Sequence, residues 1–248
     1  MKLAFFIDID GTLIFEGELP QRNIDAITNA RKKGHYVFIN TGRSKAVMQP
    51  VIKEKLELDG YVTSLGAYIE VGHKVIHENC ASKESLNKIY PVIMKYAPLL
   101  GGDSFRIASP DRKLNEIKMD VRLTSSDDLP ENTIHKASML GVASKEDAAI
   151  IMEDFEMYQH ETYFEICPKG NSKATGIKRV KQYLGDDIVT VAIGDSLNDI
   201  PMFEGADYCG AMGNAEECIK EMADYVSCDA RMGGVGDVIE HFCRMEDK

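Results

Sequence analysis

Three short apolar runs each end on a polar residue capable of chemistry, and no other feature of this sequence restricts its fold as strongly. Residues 3–7 (LAFFI) run into Asp8, residues 36–39 (YVFI) into Asn40 and Thr41, and residues 188–193 (IVTVAI) through Gly194 into Asp195. Continuous apolar runs of this length, rich in β-branched and aromatic residues, suit central strands of a parallel sheet covered on both faces. In open sheets of that kind, ligands bind beyond the carboxyl ends of the strands, close to where the strand order reverses. Asp8, Thr41 and Asp195 all stand at such ends, so the pattern predicts both a fold and the place of its site.

Helical segments lie between the runs. Residues 21–33 put Ile24, Ile27 and Ala30 on one stripe between Pro20 and Gly34, and Ser44 opens a helix that Pro50 kinks or divides. Residues 173–184 read as a helix stopped at Gly185, and residues 215–223 as another. Strands alternating with helices build βαβ units with right-handed crossovers, which gives an α/β fold with a Rossmann-like parallel-sheet core. The middle of the chain differs. It reads as a helix over 84–96, strand-like segments near Phe105 and over 118–123, a strand over 137–143, a helix over 145–158 and a strand over 162–166, the last three forming a βαβ-like stretch. This reads as an α/β insertion, with Met152, Phe155 and Tyr158 at helical spacing in its core. The expected division is core 1–81, insertion 82–165 and core 166–248.

Composition narrows the class. Of 248 residues, 44% are hydrophobic and 28% charged, which suits a globular enzyme rather than a disordered chain. A formal net charge of -11 repels nucleic acid and anionic membranes, so neither is an expected partner. No apolar run has the length of a membrane span, and residues 1–7 reach Asp8 too soon for a secretory signal. The six cysteines are scattered without a CxxC pair and read as buried, reduced thiols. The expectation is a cytoplasmic enzyme, monomer or homodimer.

The sharpest motif is Asp8-Ile9-Asp10-Gly11-Thr12-Leu13. Two carboxylates two residues apart at a strand end come close together only if something cancels their repulsion, and a hard dication such as magnesium does so with carboxylates, waters and phosphate oxygens. Asp195 supplies a further carboxylate, and Asp199 lies one helical turn beyond it. Four convergent carboxylates in a dry cleft require a cation.

In sequence these residues resemble the haloacid dehalogenase superfamily of phosphohydrolases, and within it the Cof-like branch with a large α/β cap. Asp8-Ile9-Asp10-Gly11-Thr12 is similar to the first family motif and Asn40-Thr41-Gly42-Arg43 to the second; Lys173 stands at the third, and Gly194-Asp195-Ser196-Leu197-Asn198-Asp199 is similar to the fourth. The resemblance covers nearly the whole chain, since Ala211-Met212-Gly213-Asn214-Ala215 and Gly233-Gly234-Val235-Gly236 also look like late loops of this branch. It implies a magnesium-dependent phosphatase of small phosphorylated metabolites, such as sugar phosphates, working through an aspartyl-phosphate. Asp8 is then the nucleophile and Asp10 the acid and base, a role typically worth about 10²–10⁴-fold. Thr41 would bond the phosphoryl group through hydroxyl and backbone, with Gly42, Arg43 and Asn198 as further substrate contacts and Lys173 offsetting charge. Asp8, the Asp10 carbonyl and Asp195 would bind magnesium, with Asp199 an outer or additional ligand. Asp at position 10 favours rapid turnover, because relatives with Thr there keep their aspartyl-phosphate.

One departure stands out: the branch usually has Asn-Gly-Ala after the third strand, and here Leu65 occupies the Asn place in Ser64-Leu65-Gly66-Ala67. The alternatives are a phosphomutase, against which the large cap speaks, and a non-catalytic phospho-ligand sensor, against which the full set of Asp8, Asp10, Thr41, Lys173 and Asp195 speaks. Gly233-Gly234-Val235-Gly236 reads as a connecting turn, because no strand precedes it as a nucleotide loop requires. His73 and His77 would share a face if their segment were a strand, but no third ligand lies near in sequence, and they read as a solvated hairpin.

Overall fold

The computed structural model describes residues 2–112 and 121–245. Its strands in chain order are β1 (Lys2–Ile7), β2 (Tyr36–Asn40), β3 (Gly60–Thr63), β4 (Tyr68–Val71) and β5 (Lys74–Glu78). Then follow β6 (Leu99–Gly101), β7 (Arg106–Ala108), β8 (Val121–Arg122), β9 (Lys136–Leu140), β10 (Phe155–Gln159) and β11 (Tyr163–Pro168). The last three are β12 (Ile188–Gly194), β13 (Tyr208–Ala211) and β14 (Tyr225–Val226). The helices are α1 (Gln21–Lys32), α2 (Pro50–Lys55), α3 (Lys83–Ile93), α4 (Lys145–Ile151), α5 (Lys173–Leu184), α6 (Ile200–Glu204), α7 (Glu217–Met222) and α8 (Gly234–Met245). No helix among the described residues is long and apolar enough to cross a membrane.

Two compact units emerge, one of Met1–Gly42, Gln49–His77 and Ser172–Lys248, the other of Arg43–Met48 and Glu78–Asn171. The first is an eight-stranded sheet in the order β14-β13-β12-β1-β2-β3-β4-β5. Neighbours from β14 to β3 are parallel, and β4 turns back antiparallel to β3. From β1 the chain moves outward through β2 and β3, whereas from β12 it moves the other way through β13 and β14. The order therefore reverses between β1 and β12, where Ile7 pairs with Ile193. Leu3 through Ile7 are buried, and Phe6 stacks on Phe38 with ring centroids 5.2 Å apart. Full burial of a side chain of this kind stabilises by about 1.5–3 kcal/mol, which is why these runs become central strands.

The helices of this unit follow the sequence pattern with some shifts. The buried stripe of α1 is Asn23, Ala26, Ile27 and Ala30, and Ile24 lies only partly buried beside it. Asn23 is tolerated inside because it donates to the Leu13 carbonyl (3.2 Å) and accepts from Gly236 N (2.9 Å). Pro50 divides the segment after Ser44, leaving a single 3-10 turn at Lys45–Val47 and starting α2 at its own first position, where its missing N–H costs nothing. Gly233-Gly234-Val235-Gly236 is not a connecting turn. Gly234 to Gly236 form the first turn of α8, and a side chain at Gly236 would press within 2.9 Å of the Arg22 carbonyl of α1.

The second unit is a six-stranded sheet in the order β10-β11-β9-β6-β7-β8, antiparallel except for β7 beside β8. Leu86, Ile89 and Ile93 of α3 pack with Leu100, Ile107, Ala137, Met139, Phe164 and Ile166 of the sheet. The expected helix over 145–158 is wrong in its second half. The helix stops at Ile151, and β10 pairs antiparallel with β11, Tyr158 opposite Glu165. Phe155 and Met157 alternate with Glu156 and Tyr158 at strand period, Phe155 being buried while Met152 is 55% exposed. The stretch is also not βαβ, since β9 and β11 are antiparallel. Of the strand expected over 118–123, residues 118–120 lie outside the described residues. All six cysteines are free, but only Cys167, Cys209 and Cys243 are buried; Cys218 is exposed, against expectation.

Candidate active site

The first unit gathers the charged groups where β1 and β12 diverge. Asp8 follows β1, its amide bonded to the Ile193 carbonyl of β12 at 2.9 Å, and the residue is 4% exposed. Lys173, the first residue of α5, is 2% exposed; its Nζ donates to Asp8 Oδ1 at 2.7 Å, Asp199 Oδ1 at 2.6 Å and Asn198 Oδ1 at 3.3 Å. Carboxylate oxygens of Asp8, Asp195 and Asp199 lie within 4.8 Å of one another. Residues from both ends of the sequence thus converge on one spot.

Local structure explains each placement. Asp199 is fully buried, and its Oδ2 accepts from the amides of Asp195 (2.9 Å) and Ser196 (3.1 Å), which ties the loop after β12 into one turn. A side chain at Gly194 would sit 2.4 Å from the Asp199 carboxyl carbon, so only glycine lets that carboxylate fold back beneath the loop. Asp195 is oriented by Thr12, whose Oγ1 donates to Asp195 Oδ1 at 2.6 Å. Gly11 between the two loops has φ of 82°, and a Cβ there would meet Asp195 Oδ2 at 2.4 Å.

The remaining expected residues fall around this cluster. Asp10 is exposed and its side chain is outside the three-carboxylate group, whereas Ile9 beside it is fully buried. Thr41 follows β2 and is buried, and its amide donates to Val62 O (2.9 Å), which anchors it at the end of the sheet. Asn40 Nδ2 donates to the Lys173 carbonyl (3.1 Å) and fixes the start of α5 beside β2. Gly42 ends this segment of the first unit. Arg43 belongs to the second unit, where Nη1 donates to the Val47 carbonyl at 3.2 Å. Asn198 Oδ1 also accepts from Ser196 Oγ at 3.1 Å. After β3, Ser64, Leu65 and Gly66 all have positive φ (54°, 58° and 82°), and Leu65 N donates to Thr41 O. Leu65 is buried in this turn.

Two supporting residues escaped the sequence reading. Thr12 sits inside the first motif but gave no hint that it would orient Asp195. Asn214 donates to the Gly11 carbonyl (3.0 Å) and accepts from Ala230 N (2.8 Å), bracing the loop after β1 from 203 residues away. No local pattern announces a partner at that distance.

Electrostatics define what the cluster needs. Burial pushes the Asp8 carboxyl up to about 7; Lys173 pulls it down and Asp199 pushes it further up. Burial likewise raises Asp195 to about 6, opposed by the Thr12 hydrogen bond. Lys173 is held above the usual lysine range, because Asp199 and Asp8 outweigh the burial that works against its charge. Three carboxylates against one ammonium leave an excess of two negative charges, which one divalent cation would cancel. The donors are all hard oxygens, a set that fits magnesium, calcium or manganese rather than softer metals.

A Rossmann-like sheet with a carboxylate cluster and a buried lysine at its switch point defines a phosphoryl-transfer type of site. The sequence pattern of the haloacid dehalogenase-like hydrolases matches residues 5–239, and the chain belongs to that family. It is 28% identical over 255 residues to the protein YkrA of Bacillus subtilis (strain 168), covering 96% of each chain. It is also 28% identical over 250 residues to 5-amino-6-(5-phospho-D-ribitylamino)uracil phosphatase YcsE of the same organism, covering 95% of this chain and 94% of that one. Among solved structures, the subclass IIB sugar phosphatase BT4131 superposes with a TM-score of 0.80 at 25% identity, over 98% of this chain and 99% of the other.

Proposed function

We propose that this protein is a magnesium-dependent phosphatase that hydrolyses small phosphorylated metabolites, sugar phosphates or similar, through an aspartyl-phosphate on Asp8. The observation that carries the reading is the buried Asp8 carboxylate, held by Lys173 at 2.7 Å and facing Asp195 and Asp199 within 4.8 Å. Homologues named as phosphatases and a sugar-phosphatase neighbour support the substrate class.

In the first step Asp8 attacks phosphorus, forming an O–P bond as the ester P–O bond breaks, and Asp10 gives its proton to the leaving alkoxide. The Asp10 side chain is exposed, which leaves it open to a leaving group and to water. In the second step Asp10 takes a proton from water as the water attacks phosphorus, which releases inorganic phosphate and restores the Asp8 carboxylate. Lys173 offsets charge on Asp8 and on the phosphoryl oxygens. The Thr41 hydroxyl and the backbone of Gly42 cradle the phosphoryl group, with Arg43 and Asn198 as further contacts. Asp8, the Asp10 carbonyl and Asp195 would hold magnesium, with Asp199 as an outer ligand; when bound, the ion neutralises developing charge on the phosphoryl oxygens. The unit around residues 78–171 takes the substrate-selecting role of a cap. Free cysteines throughout suit a reducing compartment such as the cytoplasm.

A phosphate-release screen over phosphorylated sugars, phosphorylated ribityl compounds and p-nitrophenyl phosphate tests this, run with magnesium and with chelator. Release that needs magnesium and vanishes in Asp8→Asn is expected. Full activity in Asp8→Asn, or an isomerised sugar phosphate without free phosphate, would overturn it.

A further inference from the structure

We propose that Glu78, Cys80 and His135 form a second metal site, one that takes a borderline divalent ion such as zinc rather than magnesium. The three residues lie in one compact unit, and the proposal does not depend on the phosphatase reading. Glu78 ends β5 and Cys80 follows two residues on, so an extended chain turns both side chains to the same side. The antiparallel bridge of Ala81 with Ile134 (Ala81 N to Ile134 O, 2.8 Å) brings the segment carrying His135 beside Cys80. The His135 amide is in turn bonded to the Gly101 carbonyl of β6 at 3.0 Å, which fixes its backbone beside that strand. Three ligand types from two chain segments therefore meet by backbone design.

Their separations suit a tetrahedral ion. His135 Nε2 lies 2.9 Å from Glu78 Oε1 and Cys80 Sγ lies 3.9 Å from the same oxygen, with all three ligand atoms within 4.8 Å of one another. Zinc bonds of about 2.0–2.3 Å place tetrahedral ligand atoms roughly 3.3–3.8 Å apart, so small side-chain rotations suffice. His135 forms a floor at 2% exposure, Cys80 is half-buried and Glu78 is exposed, which gives an ion an entry path and leaves a fourth position for water. Sulfur, imidazole and carboxylate together select zinc or cobalt, the reverse of the all-oxygen cluster at Asp8.

Without an ion the same groups form a His–Glu hydrogen bond beside a neutral thiol. Burial first, and the Glu78 charge second, push Cys80 up to about 11. Binding releases the Cys80 proton to solvent, places sulfur on the ion, and leaves the imidazole proton on Nδ1 while Nε2 ligates.

Cobalt titration of the full chain tests the site, because thiolate ligation gives a sulfur-to-cobalt charge-transfer band. One equivalent is expected to produce that band, zinc to abolish it, and a large excess of magnesium to leave it unchanged. Cys80→Ser should remove the band, and Glu78→Gln, a change at an exposed position, should weaken cobalt binding by at least about tenfold. Asp195→Asn should leave both band and affinity as in the parent. Absence of the band in the parent protein, its survival in Cys80→Ser, unchanged affinity in Glu78→Gln, or displacement by magnesium would each overturn the proposal.

Discussion

Lys173 Nζ lies 2.7 Å from Asp8 Oδ1 although 165 residues separate the two in sequence. Both are almost fully buried, and Asp199 completes the group at 2.6 Å from the same ammonium. Removing one member of such a set leaves its partners as uncompensated buried charge.

Lys173→Met is therefore expected to act on stability and on rate together. Loss of the buried cation should cost about 3–5 kcal/mol of unfolding free energy in the absence of metal. It should also lower kcat by about 10²–10³-fold, as for other charge-stabilising donors. Urea unfolding and steady-state phosphate release check the two effects; a variant as stable and as fast as the parent would show that the ion pair does neither job.

The raised Asp8 and Asp195 carboxyls set a pH dependence whose sign can be worked out. Their ordinary value is 3.8, and burial pushes them up to about 7 and about 6. Between about pH 4 and 7 the folded chain holds protons there that the unfolded chain has lost, so their contribution to stability falls as pH rises through this window. A cation that binds the ionised carboxylates removes that penalty. The rise in Tm on adding magnesium should be larger at pH 8 than at pH 5, and should disappear in Asp195→Asn. An equal rise at both pH values would place the ion elsewhere.

Thr12 Oγ1 donates to Asp195 Oδ1 at 2.6 Å, at the edge of the carboxylate cluster. Thr12→Val keeps the shape and removes the hydrogen bond, so magnesium affinity should weaken by about 10–100-fold while kcat at saturating magnesium stays near the parent value. Equal loss of kcat at all magnesium concentrations would assign Thr12 a different role. The measurement is a magnesium titration of phosphate release.

Leu65 has φ of 58° and is buried, two properties that pull in opposite directions. A left-handed backbone costs a residue of this type about 1–2 kcal/mol, whereas its burial contributes about 1.5–3 kcal/mol. Leu65→Asn relieves the first and loses the second, so a net destabilisation on the order of 1 kcal/mol is expected in denaturant unfolding. A gain in stability would mean that backbone strain dominates this turn.

Much of the core could be read from residues alone because its signals are local. The apolar runs at 3–7, 36–39 and 188–193 become β1, β2 and β12, and Gly185 ends α5 where the pattern puts it. Asp8, Lys173, Asp195 and Asp199 meet because each sits at an element end whose position the sheet dictates. The cap strand β10 was illegible for the opposite reason: Met152, Phe155 and Tyr158 satisfy a helical spacing, and only pairing with β11 decides for strand. Asn214 and His135 likewise reveal their importance only through partners far along the chain.

The pairing of Lys2 with Ile188 at the centre of the sheet has a consequence for how the protein is made. A ribosome delivers Asp8 well before Lys173, Asp195 and Asp199. Until β12 emerges, β1 lacks its neighbour on that side, and a nascent chain or a fragment ending before Ile188 holds Asp8 without Asp195 or Asp199. The carboxylate cluster therefore assembles only once β12 has been made.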